Sequence, residues 1–433
     1  MLMLKLNRLY INKLCVLAFL MLPIALVTGP FLPEIIIFII SFFFIINCIK
    51  EKNFSYFNNT LFKIFFFFYV IINISSLLGE DVIYSLATSI FYIRFIVFAL
   101  AVCWLLNNNS NLKKNFLLIF LILYFFLFLG SVYEILFKNY CGYYNEGNEF
   151  KYHNNYFFCQ NKIIIGNLIR MDRLSSFFGK EMILGSFLSR FLPLVTALYI
   201  LHYKRNSLSL FFIFFIIVTS LFVFLSGERI SFFYLLLFLS IFFISIESTK
   251  LVKFFSIFFL IMSILITSYF YKISSSRMYV QTFNQILNSQ NSINFFSDDH
   301  KAHAITAYNI FKLNTFIGAG PKVFRKICHK QEYNYNEKSC TTHPHNTFLQ
   351  LLAEVGLIGA SIPLFFLFVV IKKLTMNFLG GRKIEKCEIY FLCSFLISLF
   401  PFIPSGNFFN GWLNIVYYLP LGFYLNYKKN INK

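Results

Sequence analysis

The stretch His343-Pro-His345-Asn346-Thr-Phe-Leu-Gln-Leu-Leu-Ala-Glu354-Val-Gly356-Leu-Ile-Gly359 puts titratable groups where a long polar segment runs into an apolar one. Pro344 ends any preceding helix, and Asn346 or Thr347 can cap the helix that follows. His345 is then held at a helix start, where the N-terminus favours a neutral imidazole able to take a proton from a hydroxyl. Two other readings stay open: a purely structural His345, or a zinc site built with His300, His303 or His329, for which no ligand spacing recurs. Glu354 follows His345 by nine residues, about 13 Å along a helix at ~1.5 Å per residue.

Several cations could serve the same chemistry. Gly227-Glu228-Arg229 reads as a tight turn between two apolar helices, fixing Arg229 at the rim of a bundle. A guanidinium there can hold phosphate bidentately or snorkel to lipid headgroups. Arg170, Arg173 and Lys180 recur just before another apolar run, with Arg173 leading through Leu-Ser-Ser-Phe-Phe to Gly179. Arg94, Glu134 and Arg190 lie within apolar stretches, where a lone charge costs at least about 2.5 kcal/mol, so each faces the bundle or a wet cavity. Ala304–Phe311 reads as a short amphipathic helix, and Ile317-Gly318-Ala319-Gly320 as a turn after it that would admit close backbone approach. It lacks the strand, third glycine and acid of a dinucleotide site.

The elements that must carry these residues are membrane helices. The sequence is 58% hydrophobic and 13% charged, with 63 Phe, and runs of spanning length recur end to end. We expect an all-α polytopic transmembrane bundle of about twelve spans, near 11–29, 31–48, 61–79, 88–107, 115–137, 182–201, 208–226, 230–247, 251–271, 346–371, 387–404 and 409–426. The first, preceded by Lys5 and Arg8, reads as an uncleaved signal anchor. Basic residues fall on alternate short loops, which makes those loops and both termini cytoplasmic. Two long polar segments, 138–181 and 272–345, are left on the outer, periplasmic side of one membrane domain covering 1–433.

Part of the net charge of +20 is therefore topological. The outer segment 272–345 nevertheless carries a basic excess, including Arg277, Lys301, Lys322 and Arg325, which points to an anionic partner such as a lipid phosphate, a diphosphate-linked substrate or an anionic polysaccharide. Nucleic acid does not fit an outward-facing site. Cys141 and Cys159 share the first outer segment, Cys328 and Cys340 the second, which suggests two disulfides in an oxidising compartment; four free thiols are the alternative. Paired CxxC spacing is absent.

His345-Asn346, nine residues, then Gly356-Leu-Ile-Gly359 resembles the signature of the O-antigen ligase and polymerase family of bacterial membrane proteins. Ile317–Gly320 resembles that family's glycine turn, Ser226-Gly-Glu-Arg229 its arginine-bearing turn, and Arg173–Gly179 its arginine-glycine approach to an earlier helix, so the likeness covers roughly 170–360. The resemblance implies metal-independent, cofactor-free, inverting transfer of glycan from an undecaprenyl-diphosphate carrier at the inner membrane. The acceptor is lipid A-core in a ligase and a lipid-linked repeat in a polymerase. Carried over by position, His345 is the catalytic base and Arg229 and Arg173 meet the diphosphate, with His343, Asn346, Lys322 and Arg277 as supporting candidates. One departure stands out: many members have arginine ahead of the loop helix, whereas this chain has His300-Lys301-Ala-His303.

A lipid-linked oligosaccharide flippase would share the spans and buried charges, but it does not require a long outer loop ending in histidine, and duplicated halves are missing. A sensor or structural membrane protein predicts only that the outer loops bind something.

Overall fold

The computed structural model describes residues 2–137, 141–144, 150–153, 173–179, 181–203, 209–247, 249–270, 278–279, 298–381 and 383–431. Among these, eight helices are long and apolar enough to cross a membrane. The chain is a helical, multi-pass membrane protein. Of the other expected stretches, 208–226 and 230–247 form shorter apolar helices, Leu210–Leu225 and Arg229–Ser245. The 387–404 stretch becomes Lys386–Ser398, because Pro401 and Pro404 prevent a longer helix. The last becomes Gly411–Ile431, a continuous helix that is long enough but carries buried Asn414 and Asn426.

The contacts of the chain cluster into two units. One comprises Met1–Ile119, Pro193–Tyr203 and Phe295–Lys433. Its first helices are α1 Leu2–Thr28, α2 Phe31–Lys50, α3 Thr60–Leu78, α4 Val82–Ser89 and α5 Arg94–Asn108. At its centre is α5, in which every residue from Phe95 to Leu106 is buried. Helix α6, Leu112–Phe137, begins in this unit, where Phe116 stacks on Phe19 of α1 at 4.5 Å.

The other unit comprises Phe120–Leu192 and Lys204–Asn294. It holds the rest of α6, an antiparallel pair β1 Cys141–Tyr144 and β2 Phe150–His153, and the start of α7, Leu184–Tyr203. Three more helices complete it: α8 Leu210–Leu225, α9 Arg229–Ser245 and α10 Lys250–Phe270. Phe128 of α6 stacks on Phe222 of α8 at 4.6 Å, and the Tyr124 hydroxyl donates to the Leu188 carbonyl at 2.8 Å. The abundant phenylalanine thus supplies ring contacts between helices where hydrophobic exclusion from water is not available.

Back in the first unit, α11 Asp298–Leu313 and the single turn α12 Phe324–Ile327 lead to α13 Thr347–Phe378, α14 Lys386–Ser398 and α15 Gly411–Ile431. Helix α11 begins six residues before, and ends two residues after, the stretch read from sequence. Gly422 lets α15 approach α5 closely, since a Cβ there would meet Val102 and the Ala99 carbonyl. A 2.8 Å hydrogen bond from Asn426 to Asn107 ties the same pair together, and one of 2.8 Å from Tyr92, in the turn just before α5, reaches Asn414 of α15. A small core of Ala307, Ile310, Val323, Phe324, Ile327 and Ala353 joins α11 and α12 to α13.

Helix α13 is broken. Gly356 has φ 67° and ψ −173°, a conformation reserved for glycine. The glycine turn fills the break: Ala319 and Gly320 N–H donate to the Ala353 and Glu354 carbonyls, and Leu357 and Ile358 N–H donate to Thr315 and Phe316. A Cβ at Gly318 would strike the Glu354–Val355 backbone, and one at Gly356 would strike Phe316–Ile317. The two glycines are therefore needed for the same contact, a backbone-to-backbone seam between loop and helix. The turn that could have approached a ligand approaches a helix instead.

Candidate functional site

The break matters because His345 stands just before α13. Asn346 is the cap: its Oδ1 accepts from Phe348 and Leu349 N–H at 3.0 Å each, and its Nδ2 donates to the Pro401 carbonyl at 2.7 Å. Thr347 instead shares a 2.7 Å hydrogen bond with the Ser405 hydroxyl. His345 itself has φ 56°, uncommon for a residue with a side chain and worth about 1–3 kcal/mol of strain. Its carbonyl accepts from Ser405 N–H at 2.8 Å. His343 is buried, with Nε2 on the Ser405 carbonyl at 3.0 Å and Nδ1 on the Thr342 hydroxyl at 2.9 Å. The segment between α14 and α15 thus clamps the histidine turn.

Four imidazoles meet here. The rings of His343, His300 and His303 lie 4.2, 5.1 and 5.4 Å from that of His345. Burial, followed by the neighbouring imidazoles, holds His345 at about 3, so its neutrality comes mainly from desolvation rather than from the helix terminus expected from sequence. Burial likewise depresses His343 and His303. His329, on the same stretch, is exposed. Among the described residues no group of three or more His, Cys, Asp or Glu is arranged to hold a metal ion.

Beneath the turn, Gln350 and Glu354 stack one helical turn apart and are fully buried. Gln350 Nε2 donates to Glu354 at 2.8 Å and to Asn407 at 3.0 Å, while its Oε1 accepts from Phe408 N–H at 2.9 Å. The other Glu354 oxygen accepts from Phe324 N–H at 3.2 Å. Glu354 thereby ties the start of α12 to the helix that follows the histidine. Lys322 sits just before α12 with φ 62°, and burial, then Arg325, keeps its ammonium below the ordinary lysine range. Cys328 and Cys340 are joined in a disulfide, which closes the loop leading back to His343.

In the second unit the arginines are positioned by acids. Glu134 of α6 accepts from Ser175 and Ser176 N–H at 2.9 and 2.7 Å, pinning the segment that begins with Arg173. Gly130 makes room, since a Cβ there would meet Ser176 and Phe177. Glu228 caps α9 in sequence but turns its carboxylate to another helix, accepting from Gly185 and Ser186 N–H at the start of α7 at 2.7 and 3.1 Å and from the Ser231 hydroxyl at 2.7 Å. Burial raises its pKa against those hydrogen bonds. Arg173 lies close enough for its charge to act on both Glu228 and Arg229, and Arg229 is exposed.

The remaining sequence candidates have structural partners or fall outside description. Arg94 pairs with Glu34 at 3.0 Å. Arg190 is buried against Tyr234, with a 3.1 Å hydrogen bond to its hydroxyl. Arg170, Lys180 and Arg277 lie outside the described residues, as does Cys159, so its pairing with Cys141 does too. Sequence reasoning did not single out Ser405, Gln350, Asn407 or the carboxylate of Glu228. A buried acid between two apolar runs was a readable signal for Glu228; Ser405 carried none.

A search of curated proteins returns no match for the chain. The family model described as O-antigen ligase matches residues 191–364, a stretch that contains Arg229 and His345 and leaves Arg173 outside. Over residues 191–364, therefore, this multi-pass membrane protein is similar to the O-antigen ligase family.

Proposed function

We propose that the protein transfers glycan from an undecaprenyl-diphosphate carrier to an acceptor hydroxyl, lipid A-core in the ligase reading, on the periplasmic side of the bacterial inner membrane. The observation that carries this reading is His345: half-buried, uncharged, and locked by its carbonyl, its neighbour His343 and the cap at Asn346. A base must be deprotonated before it acts and oriented toward one proton. The acceptor oxygen attacks the anomeric carbon with inversion, its proton passes to His345 Nδ1 or Nε2, and the bond to the diphosphate breaks with its electron pair on the leaving lipid diphosphate. Arg229 and Arg173 hold that anion through bidentate hydrogen bonds, and no metal is required.

A base near 3 is weak in the free site, but the negative charge of a bound diphosphate raises the basicity of a nearby imidazole. Lys322 and Arg325 add positive charge on the His345 unit.

The test is a reconstituted transfer assay with lipid-linked glycan and, separately, lipid A-core or a second lipid-linked repeat as acceptor. His345→Ala protein at normal abundance should lose about 10²- to 10⁴-fold in rate, and chelators should leave wild-type rate unchanged. Wild-type transfer by His345→Ala would make the histidine structural and remove this mechanism. Product formed only on the lipid-linked repeat would identify a polymerase. For orientation, an impermeant thiol reagent should label a cysteine placed at 337 and spare cysteines placed at 110 and 376.

A further inference from the structure

His303 is not explained by packing. It is nine-tenths buried on α11, yet its Nδ1 has no hydrogen-bond partner among the described residues. The Lys338 backbone carbonyl lies where it can accept from the ring, and with Nδ1 unpartnered that contact falls to Nε2. That bond places the proton on Nε2 and leaves Nδ1 as a bare lone pair. A buried acceptor without a donor is unfavourable, so an arriving donor would complete the site. The ring lies 5.4 Å from His345 and 6.2 Å from His300.

The chemistry of the missing donor can be narrowed. A lone pair repels phosphate oxygens, which excludes the anionic leaving group. Burial keeps His303 from gaining a proton to reverse that preference. An in-line displacement puts the leaving group on the far side of the reacting carbon from the base and its nucleophile, so a ring 5.4 Å from His345 is nearer the acceptor than the leaving group. A sugar presents vicinal hydroxyls, so the oxygen next to the attacking one arrives with a proton to donate.

We propose that His303 is a substrate-contacting, specificity-determining residue that accepts a hydrogen bond from an acceptor-sugar hydroxyl beside the one activated by His345. The proposal rests on the reading of His345 as the base. His303 does not take the reacting proton; it selects an acceptor with a second hydroxyl in the right place and aligns the first.

Initial rates are measured in proteoliposomes against the carrier-linked glycan and a delipidated core oligosaccharide, each varied in turn. His303→Phe, which keeps the ring volume, should raise KM for the oligosaccharide about tenfold and leave KM for the carrier-linked glycan within twofold. His303→Asn, able to accept through its amide oxygen, should recover at least half of that loss on a logarithmic scale. An unchanged acceptor KM in His303→Phe, a rise in donor KM instead, or a fall in kcat with both KM values unchanged would each overturn the proposal. Should His303→Phe not insert, His303→Asn and His303→Leu give the same comparison. Activity surviving in His345→Ala would defeat the base assignment separately, whatever His303 does.

Discussion

His345 precedes the cap of its helix, and Arg229 follows the cap of its own, yet the two are held differently. The histidine turn is fixed chiefly by backbone atoms and by short polar side chains from a segment about sixty residues later. The arginine turn is fixed by one buried carboxylate, Glu228, reaching the start of α7. A base needs a single orientation, which a seam of backbone hydrogen bonds supplies because backbone geometry has few alternatives. A phosphate-binding guanidinium tolerates freedom at its tip, provided its root is anchored. The difference teaches that a helix start can be built for angular accuracy or for reach.

Substituting glycines should break this contrast most strongly. Gly356→Ala combines a glycine-only conformation, about 1–3 kcal/mol, with a collision against the Phe316–Ile317 backbone. It should abolish transfer and leave the 315–358 region open to proteolysis. Gly179→Ala in the second unit has φ 64° but nothing within 4 Å of the added Cβ, so only strain opposes it and transfer should persist. Equal loss in both would mean that the seam is no more demanding than a loop.

Anchors come next. Glu228→Ala removes three hydrogen bonds from a buried site, and we expect about 3 kcal/mol of destabilisation, with donor KM rising as Arg229 loses its root. Asn346→Ala removes a cap worth about 1 kcal/mol and should lower kcat more than stability, because it frees the angle of His345. Thermal melting with parallel kinetics checks both, and an Asn346→Ala enzyme with full kcat would contradict the claim of angular accuracy.

The smallest expected effect is in pH. A group whose folded pKa is depressed stays in its basic form down to that value, so His345 at about 3 remains neutral throughout pH 5 to 7. In that window kcat/KM, which reports the free enzyme, should change less than about twofold, whereas an ordinary imidazole would lose roughly sixteenfold between pH 6.5 and 5. The acid limb of kcat should lie higher than that of kcat/KM, since bound diphosphate raises the base. A kcat/KM limb centred near 6.5 would show that the cluster is not desolvated.

Local signals were the legible ones. Pro344, His345 and Asn346 announce a helix start because each acts on its immediate neighbours, and the apolar runs announce spans because lipid imposes length. Gly318 and Gly356 were both readable as special positions, but not as partners: their contact joins residues 38 apart through backbone atoms, which leave no side-chain pattern. Ser405 is an unremarkable loop serine whose role arises only from folding. Among the described residues all twelve apolar stretches are helical but eight are long and apolar enough to span, since an apolar run reports burial and not where a turn or a proline ends the helix. His300 and His303 were noticed as a departure from the family pattern; their approach to His345 follows from α11 packing on α13.

The clamp from the segment between α14 and α15 has a consequence for biosynthesis. Translation delivers His345 well before Pro401, Ser405 and Asn407, and at roughly 5–20 residues per second the interval is several seconds. During that time the turn lacks the groups that force its left-handed backbone and seat His343. The histidine turn proposed as the reactive end is therefore completed near the close of synthesis, after most of the helices have been made. A ribosome stalled between residues 360 and 400 would leave a membrane-inserted chain that carries the histidine but not the geometry to use it.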